Sequence, residues 1–205
     1  MKTADRITLV RVICAPLFFV LYFIPVWTGC LKIASACILV PLLIVAEITD
    51  YFDGYFARKH KEVSDFGKLF DPFADVMLHL TTFSCFMLTG KYAGASFGYL
   101  HPLVFILILY REYSMNFLRM LAIKRGVAIA ARKGGKLKTV LYVTFGFYCL
   151  FWEILHRLEL FDLEVYWGSI RAGAIALSCI LLVACYASFI DYLTHFKSVF
   201  VSEKK

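Results

Sequence analysis

Residues 50–75 read DYFDGYFARKHKEVSDFGKLFDPFAD and lie at the junction of two strongly apolar segments. Four aspartates stand there at fixed spacing, namely Asp50, Asp53, Asp71 and Asp75. An ionisable side chain near hydrocarbon costs roughly 2.5–3.5 kcal/mol at the centre of a helix. Four such groups need a compensating partner, and a divalent metal held by oxygen ligands supplies one. The stretch therefore predicts two membrane helices joined by a short loop, with a metal site at their common edge.

The composition indicates an integral membrane protein. Of the 205 residues, 61% are hydrophobic and only 18% are charged, and the mean hydropathy is +0.74. Soluble domains average about 45–50% apolar and about 25% charged residues. We therefore expect a single membrane domain spanning residues 1–205. The net charge of +7 suits an anionic membrane surface or a phosphate-bearing substrate, and no nucleic-acid partner is expected.

Six segments are long enough to cross a bilayer, which requires about 20 apolar residues. They are Ile7–Trp27, Leu31–Phe56, Phe70–Leu88, Tyr99–Ala122, Thr139–Leu155 and Ser169–His195. The sequence thus predicts an all-α integral membrane protein of six transmembrane helices. Because residues 1–11 are polar, we expect them to form a short interfacial segment before the chain enters the bilayer.

The distribution of Lys and Arg predicts the orientation of the chain. With the N-terminus inside, seventeen of these residues fall on the cytoplasmic side, and four fall outside, at Lys32, Lys91, Arg157 and Arg171. Both termini and the aspartates are then expected to face the cytoplasm. No transit peptide is recognisable, which favours a multi-pass protein of the bacterial plasma (inner) membrane over a mitochondrial one.

The aspartates can converge because of their spacing. Residues three or four apart share a helix face, so Asp50 pairs with Asp53 and Asp71 with Asp75. The short connection at residues 59–66 makes the two helices antiparallel neighbours. Carboxylate ligands at this density suit Mg²⁺ or Mn²⁺, and two such ions would bridge and polarise a pyrophosphate.

A plainer interpretation is that the aspartates are helix caps and surface charges at a membrane edge. Asp71 precedes Pro72, as a capping residue can. Proline is tolerated in the first turn of a helix but breaks its interior. The third helix can therefore begin near Gly67 with a bend or near Asp71.

The spacing resembles the signature of the CDP-alcohol phosphotransferase family, Asp-x2-Asp-Gly-x2-Ala-Arg-x8-Gly-x3-Asp-x3-Asp, and every fixed position is met. The six-helix architecture of that family also matches the predicted spans. The resemblance implies metal ligands at Asp50, Asp53, Asp71 and Asp75, the last of which is also the general base. It implies CDP-diacylglycerol as the donor, and family members are often dimers, so a homodimer is one expectation.

The glycines and the arginine of the signature also acquire roles from the resemblance. Gly54, Arg58 and Gly67 would line the CDP moiety, and Arg58 would neutralise phosphate charge. Gly54 further leaves its helix face thin, so that a ligand or another helix can approach the backbone.

A second stretch bears on the acceptor alcohol. Residues 111–119 read REYSMNFLR and residues 135–139 read GKLKT. They resemble the phosphatidylglycerophosphate synthase branch of the family, as do residues 7–11. The branch implies glycerol 3-phosphate as acceptor, with phosphatidylglycerol phosphate and CMP as products. A small dianion needs fixed positive charge, and the candidates for its phosphate are Arg111, Arg119, Lys136 and Lys138.

Arg111 lies deep enough in its span to need a partner. The adjacent Glu112 points about 100° away on a helix, which favours substrate phosphate or an aspartate as that partner. The neighbouring Lys124, Arg125, Arg132 and Lys133 are interpreted as a loop resting on anionic lipid head groups.

Other functions stay open from the sequence. Within the family, the acceptor can instead be inositol phosphate, serine, phosphatidylglycerol or an amino alcohol. A cation transporter would use the aspartates as its transport site. Transport sites usually lie near the bilayer midplane at inverted repeats, whereas this cluster lies at one edge and no repeat is visible. A lipid-binding structural protein would not need four carboxylates.

Overall fold

A computed structural model of the chain describes residues 3–59, 65–89, 95–126, 133–160 and 162–196. Side chains are described for residues 8–49, 67, 69–89, 95–126, 135–160 and 162–196. This part of the chain forms the helices α1 (Thr3–Thr28), α2 (Lys32–Lys59), α3 (Asp65–Leu88), α4 (Pro102–Lys124), α5 (Lys133–Arg157) and α6 (Leu163–His195). Within these ranges no strand occurs. The all-α prediction is confirmed there.

Four helices of the described part are long and apolar enough to cross a membrane. Their apolar stretches are Thr8–Thr28, Lys32–Thr49, Gly135–Arg157 and Leu163–His195. The chain is thus an integral membrane protein with several apolar helices. Helices α3 and α4 are not in this set, because charged residues interrupt them, Asp71 and Asp75 in α3 and Arg111 and Glu112 in α4.

Helix α3 begins at Asp65, which agrees with the earlier of the two starts that the sequence left open, near Gly67. Asp71 is therefore an interior residue and does not cap the helix. Pro72 also lies inside α3, as Pro16 and Pro25 lie inside α1. Each proline removes one backbone hydrogen bond of the helix. Membrane helices contain interior prolines more often than soluble ones do.

Helix α1 is continuous from Thr3 to Thr28. A separate interfacial segment was expected for residues 1–11, but residues 3–11 continue the first helix. Thr8 and Arg11 are 0% and 1% exposed. Polar partners on α3 let these two residues pack inside the bundle, and the interfacial position of the segment stays a prediction.

Helix α3 occupies the middle of the bundle. It packs against α1, α4 and α5, while α2 packs on α1 and α5, and α6 packs on α4 and α5. The core between them is rich in aromatic rings in edge-to-face contact, such as Phe83 and Phe145, whose centroids lie 5.2 Å apart. The central position of α3 brings its polar side chains within reach of three neighbouring helices.

A buried ion pair joins α1, α2 and α5 where α1 and α5 end and α2 begins, which we call the far end of the bundle. Arg157 donates hydrogen bonds to Glu153 at 3.0 Å, to the Ser35 hydroxyl at 2.7 Å and to the Tyr22 carbonyl at 3.0 Å. Its guanidinium also lies 4.4 Å from the centre of the Tyr22 ring. Because a buried charge is costly unless it is paired, these contacts fix the three helices relative to one another.

Candidate active site between α1, α3 and α5

Helices α1 and α3 face each other through two polar pairs. Thr8 and Arg11 are three residues apart on α1, and Asp71 and Asp75 are four apart on α3, so each set shares a face. The Thr8 hydroxyl donates to Asp71 Oδ1 at 2.6 Å, and the Arg11 guanidinium donates to Asp75 Oδ1. The structure thus brings two of the four predicted metal-binding aspartates together on one face of α3.

The two pairs combine buried donors with accessible carboxylates. Arg11 is 1% exposed, whereas the side chain of Asp75 is 36% exposed and Asp71 is partly buried. A buried guanidinium needs an anion beside it, and this requirement fixes the position of the Asp75 carboxylate. Asp75 therefore has a defined position and remains reachable from solvent, as a residue that meets a ligand must be.

Thr8 and Arg11 were not among the predicted site residues. The signal for them was present, because residues 7–11 resemble the opening of the phosphatidylglycerophosphate synthase branch. Sequence spacing could not pair them with particular aspartates, since the two helices are joined only through α2 and its connections. The contact appears once α1 and α3 are packed together.

The other residues of the signature are described less fully. The backbone of α2 is helical through Asp50, Asp53, Gly54 and Arg58, so the three-residue spacing of the two aspartates is kept on one helix. The side chains of these four residues lie outside the described part of the chain. Their assignments to metal and CDP stay predictions. Gly67 lies in α3, one turn before Asp71.

His79 extends the polar face of α3 by one turn beyond Asp75. It is 7% exposed, and its Nδ1 lies 3.8 Å from Glu47 Oε1 of α2. Its ring meets the ring of Tyr142 edge to face, with centroids 5.1 Å apart. The sequence assigned no role to His79. In the structure it connects the aspartate face to α5.

A second polar cluster lies where α4 meets α5 and α6. Glu112 accepts hydrogen bonds from Arg111 Nη1 at 2.7 Å, from Lys138 Nζ at 3.0 Å and from Tyr142 Oη at 2.7 Å. Arg111 Nε also donates to the backbone carbonyl of Cys185 on α6 at 3.2 Å. We call these five residues the Glu112 cluster. It unites two of the four cations predicted for the acceptor phosphate.

The interpretation that Glu112 points away from Arg111 is wrong. Adjacent residues do diverge at the helix surface, but the arginine side chain is long enough to bring its terminal nitrogen back to the carboxylate. Both side chains are buried, at 3% and 2% exposure, and an unpaired charge there would be costly. The assignment of Arg111 to acceptor phosphate stays a prediction.

The remaining two predicted cations lie apart from the Glu112 cluster. Arg119 is two turns further along α4, where it lines a largely apolar cavity of about 480 Å³ between α3 and α4 with Phe73 and Tyr113. Lys136 is exposed on α5, two residues before Lys138 and hence on another face of that helix. Their assignments to acceptor phosphate are likewise untested.

The sequence matches a known protein family over most of its length. The model of the CDP-alcohol phosphatidyltransferase family matches residues 1–190. The chain belongs to the CDP-alcohol phosphatidyltransferase family. The resemblance drawn from residues 50–75 is therefore confirmed, and the match also takes in α1 with Thr8 and Arg11, and the Glu112 cluster.

Three curated relatives of this CDP-alcohol phosphatidyltransferase bear the same name, CDP-diacylglycerol–glycerol-3-phosphate 3-phosphatidyltransferase. The protein of Treponema pallidum (strain Nichols) is 34% identical over 203 residues, which cover 96% of this chain and 89% of the relative. That of Bacillus subtilis (strain 168) is 33% identical over 141 residues, covering 66% of this chain and 69% of the relative. That of Rickettsia typhi (strain ATCC VR-144 / Wilmington) is 32% identical over 139 residues, covering 67% and 69%.

Proposed function

We propose that this protein transfers the phosphatidyl group of CDP-diacylglycerol to sn-glycerol 3-phosphate, giving phosphatidylglycerol phosphate and CMP. The observation that carries the proposal is the complete aspartate signature in a chain that aligns over 96% of its length with a transferase of that name. The polar faces of α1 and α3 and the nearby Glu112 cluster supply the carboxylates and cations that this reaction requires.

The protein would cross the plasma (inner) membrane six times, with both termini and the aspartates in the cytoplasm. The surface of α4 supports a spanning position, since Arg111 and Glu112 are buried while most of the exposed side chains are apolar or aromatic. This exposed stripe recurs every three or four residues, at Leu103, Ile106, Tyr110, Tyr113, Phe117 and Met120. The excess of Lys and Arg in the predicted inner loops supports the orientation.

Two Mg²⁺ or Mn²⁺ ions would be held by Asp50, Asp53, Asp71 and Asp75. Asp71 and Asp75 fit this role, because their carboxylates lie one turn apart, are partly exposed and supply the hard oxygen donors that these ions prefer. When bound, the metal would neutralise negative charge on the pyrophosphate of the donor.

Asp75 would act as the general base. Its carboxylate accepts the proton of the acceptor hydroxyl while that oxygen attacks the phosphorus of the phosphatidyl group. The bond from this phosphorus to the bridging oxygen breaks, and CMP leaves with the electron pair. Arg11 would position the Asp75 carboxylate for the proton transfer, and Thr8 would position the Asp71 carboxylate for metal binding.

The donor and the acceptor would be bound by different sets of residues. Gly54, Arg58 and Gly67 would line the CDP moiety, with Arg58 neutralising phosphate charge, while the acyl chains stay in the bilayer. The phosphate of the acceptor would be bound by cations of α4 and α5, namely Arg111, Arg119, Lys136 and Lys138.

The test is release of CMP by purified protein in detergent supplied with CDP-diacylglycerol, Mg²⁺ and a panel of acceptors. We expect release with glycerol 3-phosphate and none above background with inositol phosphate, serine, phosphatidylglycerol or ethanolamine. Release with one of those instead would keep the family reaction and change the acceptor. No release with any acceptor, together with Mg²⁺ flux into vesicles that contain the protein, would favour the transporter.

The assembly state is a further part of the proposal. The family resemblance implies a homodimer, and the apolar exposed stripe of α4 offers a surface that can face lipid or a second copy. The mass of the detergent-solubilised protein, measured by light scattering, separates a dimer from a monomer.

A further inference from the structure

We propose that Glu112 is a positioning residue for the acceptor, because it holds Lys138 and Arg111 in fixed places where they can bind the phosphate of glycerol 3-phosphate. This inference rests on the proposed function. Glu112 was not assigned to the site from the sequence. In the proposed role, its carboxylate supports the binding of an anion indirectly, through the cations that it holds.

Both oxygens of Glu112 are engaged by this chain. Oε1 accepts from Arg111, Lys138 and Tyr142, and Oε2 accepts a further contact from Lys138 Nζ at 3.2 Å. The side chain is 2% exposed. A buried carboxylate with several charge-assisted hydrogen bonds has little freedom to move, so the groups that it binds are oriented as well.

The cluster keeps an excess of positive charge. Two cations share one carboxylate, which leaves a net charge of one positive unit for an anion to meet. The two cations differ in access, because Arg111 is 3% exposed and Lys138 is 15% exposed. An ammonium has three donors, and two contacts to Glu112 leave Lys138 a donor for phosphate. Lys138 is therefore the member that reaches the substrate most directly.

The cluster is also close to the proposed base. Tyr142, which donates to Glu112, packs its ring against His79, and His79 lies one helical turn beyond Asp75. The rings of Tyr142 and His79 thus link the cations of the cluster to the helix face that carries the proposed base.

Glu112 has two opposite effects on the affinity for the acceptor phosphate, and the test measures which of them is larger. As a negative charge, Glu112 repels the phosphate dianion, so its removal would lower the KM for glycerol 3-phosphate. As an anchor, it orients Lys138 and Arg111, so its removal would raise that KM. Orientation dominates, because hydrogen bonds to an anion depend steeply on distance and angle.

The experiment compares Glu112→Gln with Glu153→Gln in purified protein. Glu153 is the matched control, since it is also buried and also paired with an arginine, Arg157, but at the far end of the bundle. For Glu112→Gln we expect about a tenfold or larger rise in the KM for glycerol 3-phosphate. The KM for CDP-diacylglycerol and the control's KM for glycerol 3-phosphate should stay near wild type, and both variants should lower the melting temperature.

A second measurement tests whether the effect of Glu112 depends on the phosphate group of the acceptor. Selectivity for glycerol 3-phosphate over glycerol, expressed as a ratio of kcat/KM values, should fall in Glu112→Gln and hold in Glu153→Gln. A double-mutant cycle with Lys138→Met tests whether Glu112 acts on the KM through Lys138. Once Lys138 is absent, Glu112→Gln should raise the KM far less than it does alone, because the two act through one contact.

Failure of this inference can be distinguished from failure of the proposed function. An unchanged or lower KM for glycerol 3-phosphate in Glu112→Gln, or equal losses for both substrates, would overturn the inference while the wild type stays active. If Glu112→Gln does not assemble, Tyr142→Phe removes the hydrogen bond to Oε1, together with a weak contact from Cys185 Sγ, and should raise the same KM. An unchanged KM in that variant would overturn the inference. A wild type inactive with glycerol 3-phosphate would instead refute the proposed function.

Discussion

The hydroxyl of Thr8 donates a 2.6 Å hydrogen bond to the carboxylate of Asp71, which lies 63 positions later in the chain. One turn along the same two helices, Arg11 holds Asp75. The first helix is therefore part of the candidate site, although it contributes no residue to the aspartate signature. If these contacts position the two carboxylates, their loss should affect catalysis before it affects assembly.

Thr8→Val should weaken the binding of Mg²⁺ at the proposed metal site. The substitution keeps the side-chain shape and removes the donor to Asp71, a hydrogen bond to a charged group that is worth about 1.5–3 kcal/mol. We expect a higher Mg²⁺ concentration at half-maximal activity, with Thr8→Ser close to wild type. Thr28→Val is the control, since that hydroxyl lies at the exposed end of α1, where it donates to the Ile24 carbonyl and accepts from the Cys30 backbone N–H. An unchanged Mg²⁺ dependence in Thr8→Val would show that the contact has no role in holding metal.

Asp53→Asn should abolish turnover and leave an assembled membrane protein. The substitution removes one carboxylate from the proposed metal-binding set, and EDTA should silence the wild type until Mg²⁺ or Mn²⁺ is restored. Asp162→Asn offers a matched control, because Asp162 caps α6 and asparagine caps a helix as well as aspartate does. Near-wild-type CMP release by Asp53→Asn would refute the metal assignment.

The substitution Asp75→Asn tests whether Asp75 is the general base or only a metal ligand. The amide cannot accept the proton of the acceptor hydroxyl, so kcat should fall by roughly 10²–10⁴. Binding of CDP-diacylglycerol should survive better, since the amide oxygen keeps some capacity for coordination. Equilibrium binding of the donor, measured beside turnover, decides between the roles. Equal losses of donor affinity and rate would mean that Asp75 only binds metal.

Arg157→Met should destabilise the protein without changing substrate affinity. The substitution leaves Glu153 as a buried carboxylate without its guanidinium, and breaking a buried pair typically costs about 3–5 kcal/mol. We expect a lower melting temperature in detergent, while both KM values at permissive temperature stay near wild type. A selective rise in the KM for either substrate would show that this end of the bundle takes part in binding.

The sequence predicted the helices and the aspartate motif because both are local properties. Apolar length defined the spans, and the separations of three and four residues placed Asp71 beside Asp75 on α3. The start of α3 was left open between Gly67 and Asp71, since Pro72 reads as a helix start although a membrane helix can contain it, and the start at Asp65 agrees with the earlier choice. The partners Thr8 and Arg11 depend on how α1 packs on α3, which no spacing encodes. The pairing of Arg111 with Glu112 depends on the reach of flexible side chains in a buried environment.

The central claim is most directly tested by following both products of the proposed reaction. Purified protein is given CDP-diacylglycerol, Mg²⁺ and glycerol 3-phosphate labelled in its carbon chain. CMP in solution and label in the lipid fraction are then measured together over time. The proposed transfer predicts that CMP and labelled phosphatidylglycerol phosphate appear in equal amounts, and that neither appears without the acceptor. CMP release without label in the lipid, or no CMP at all from assembled protein, would contradict it.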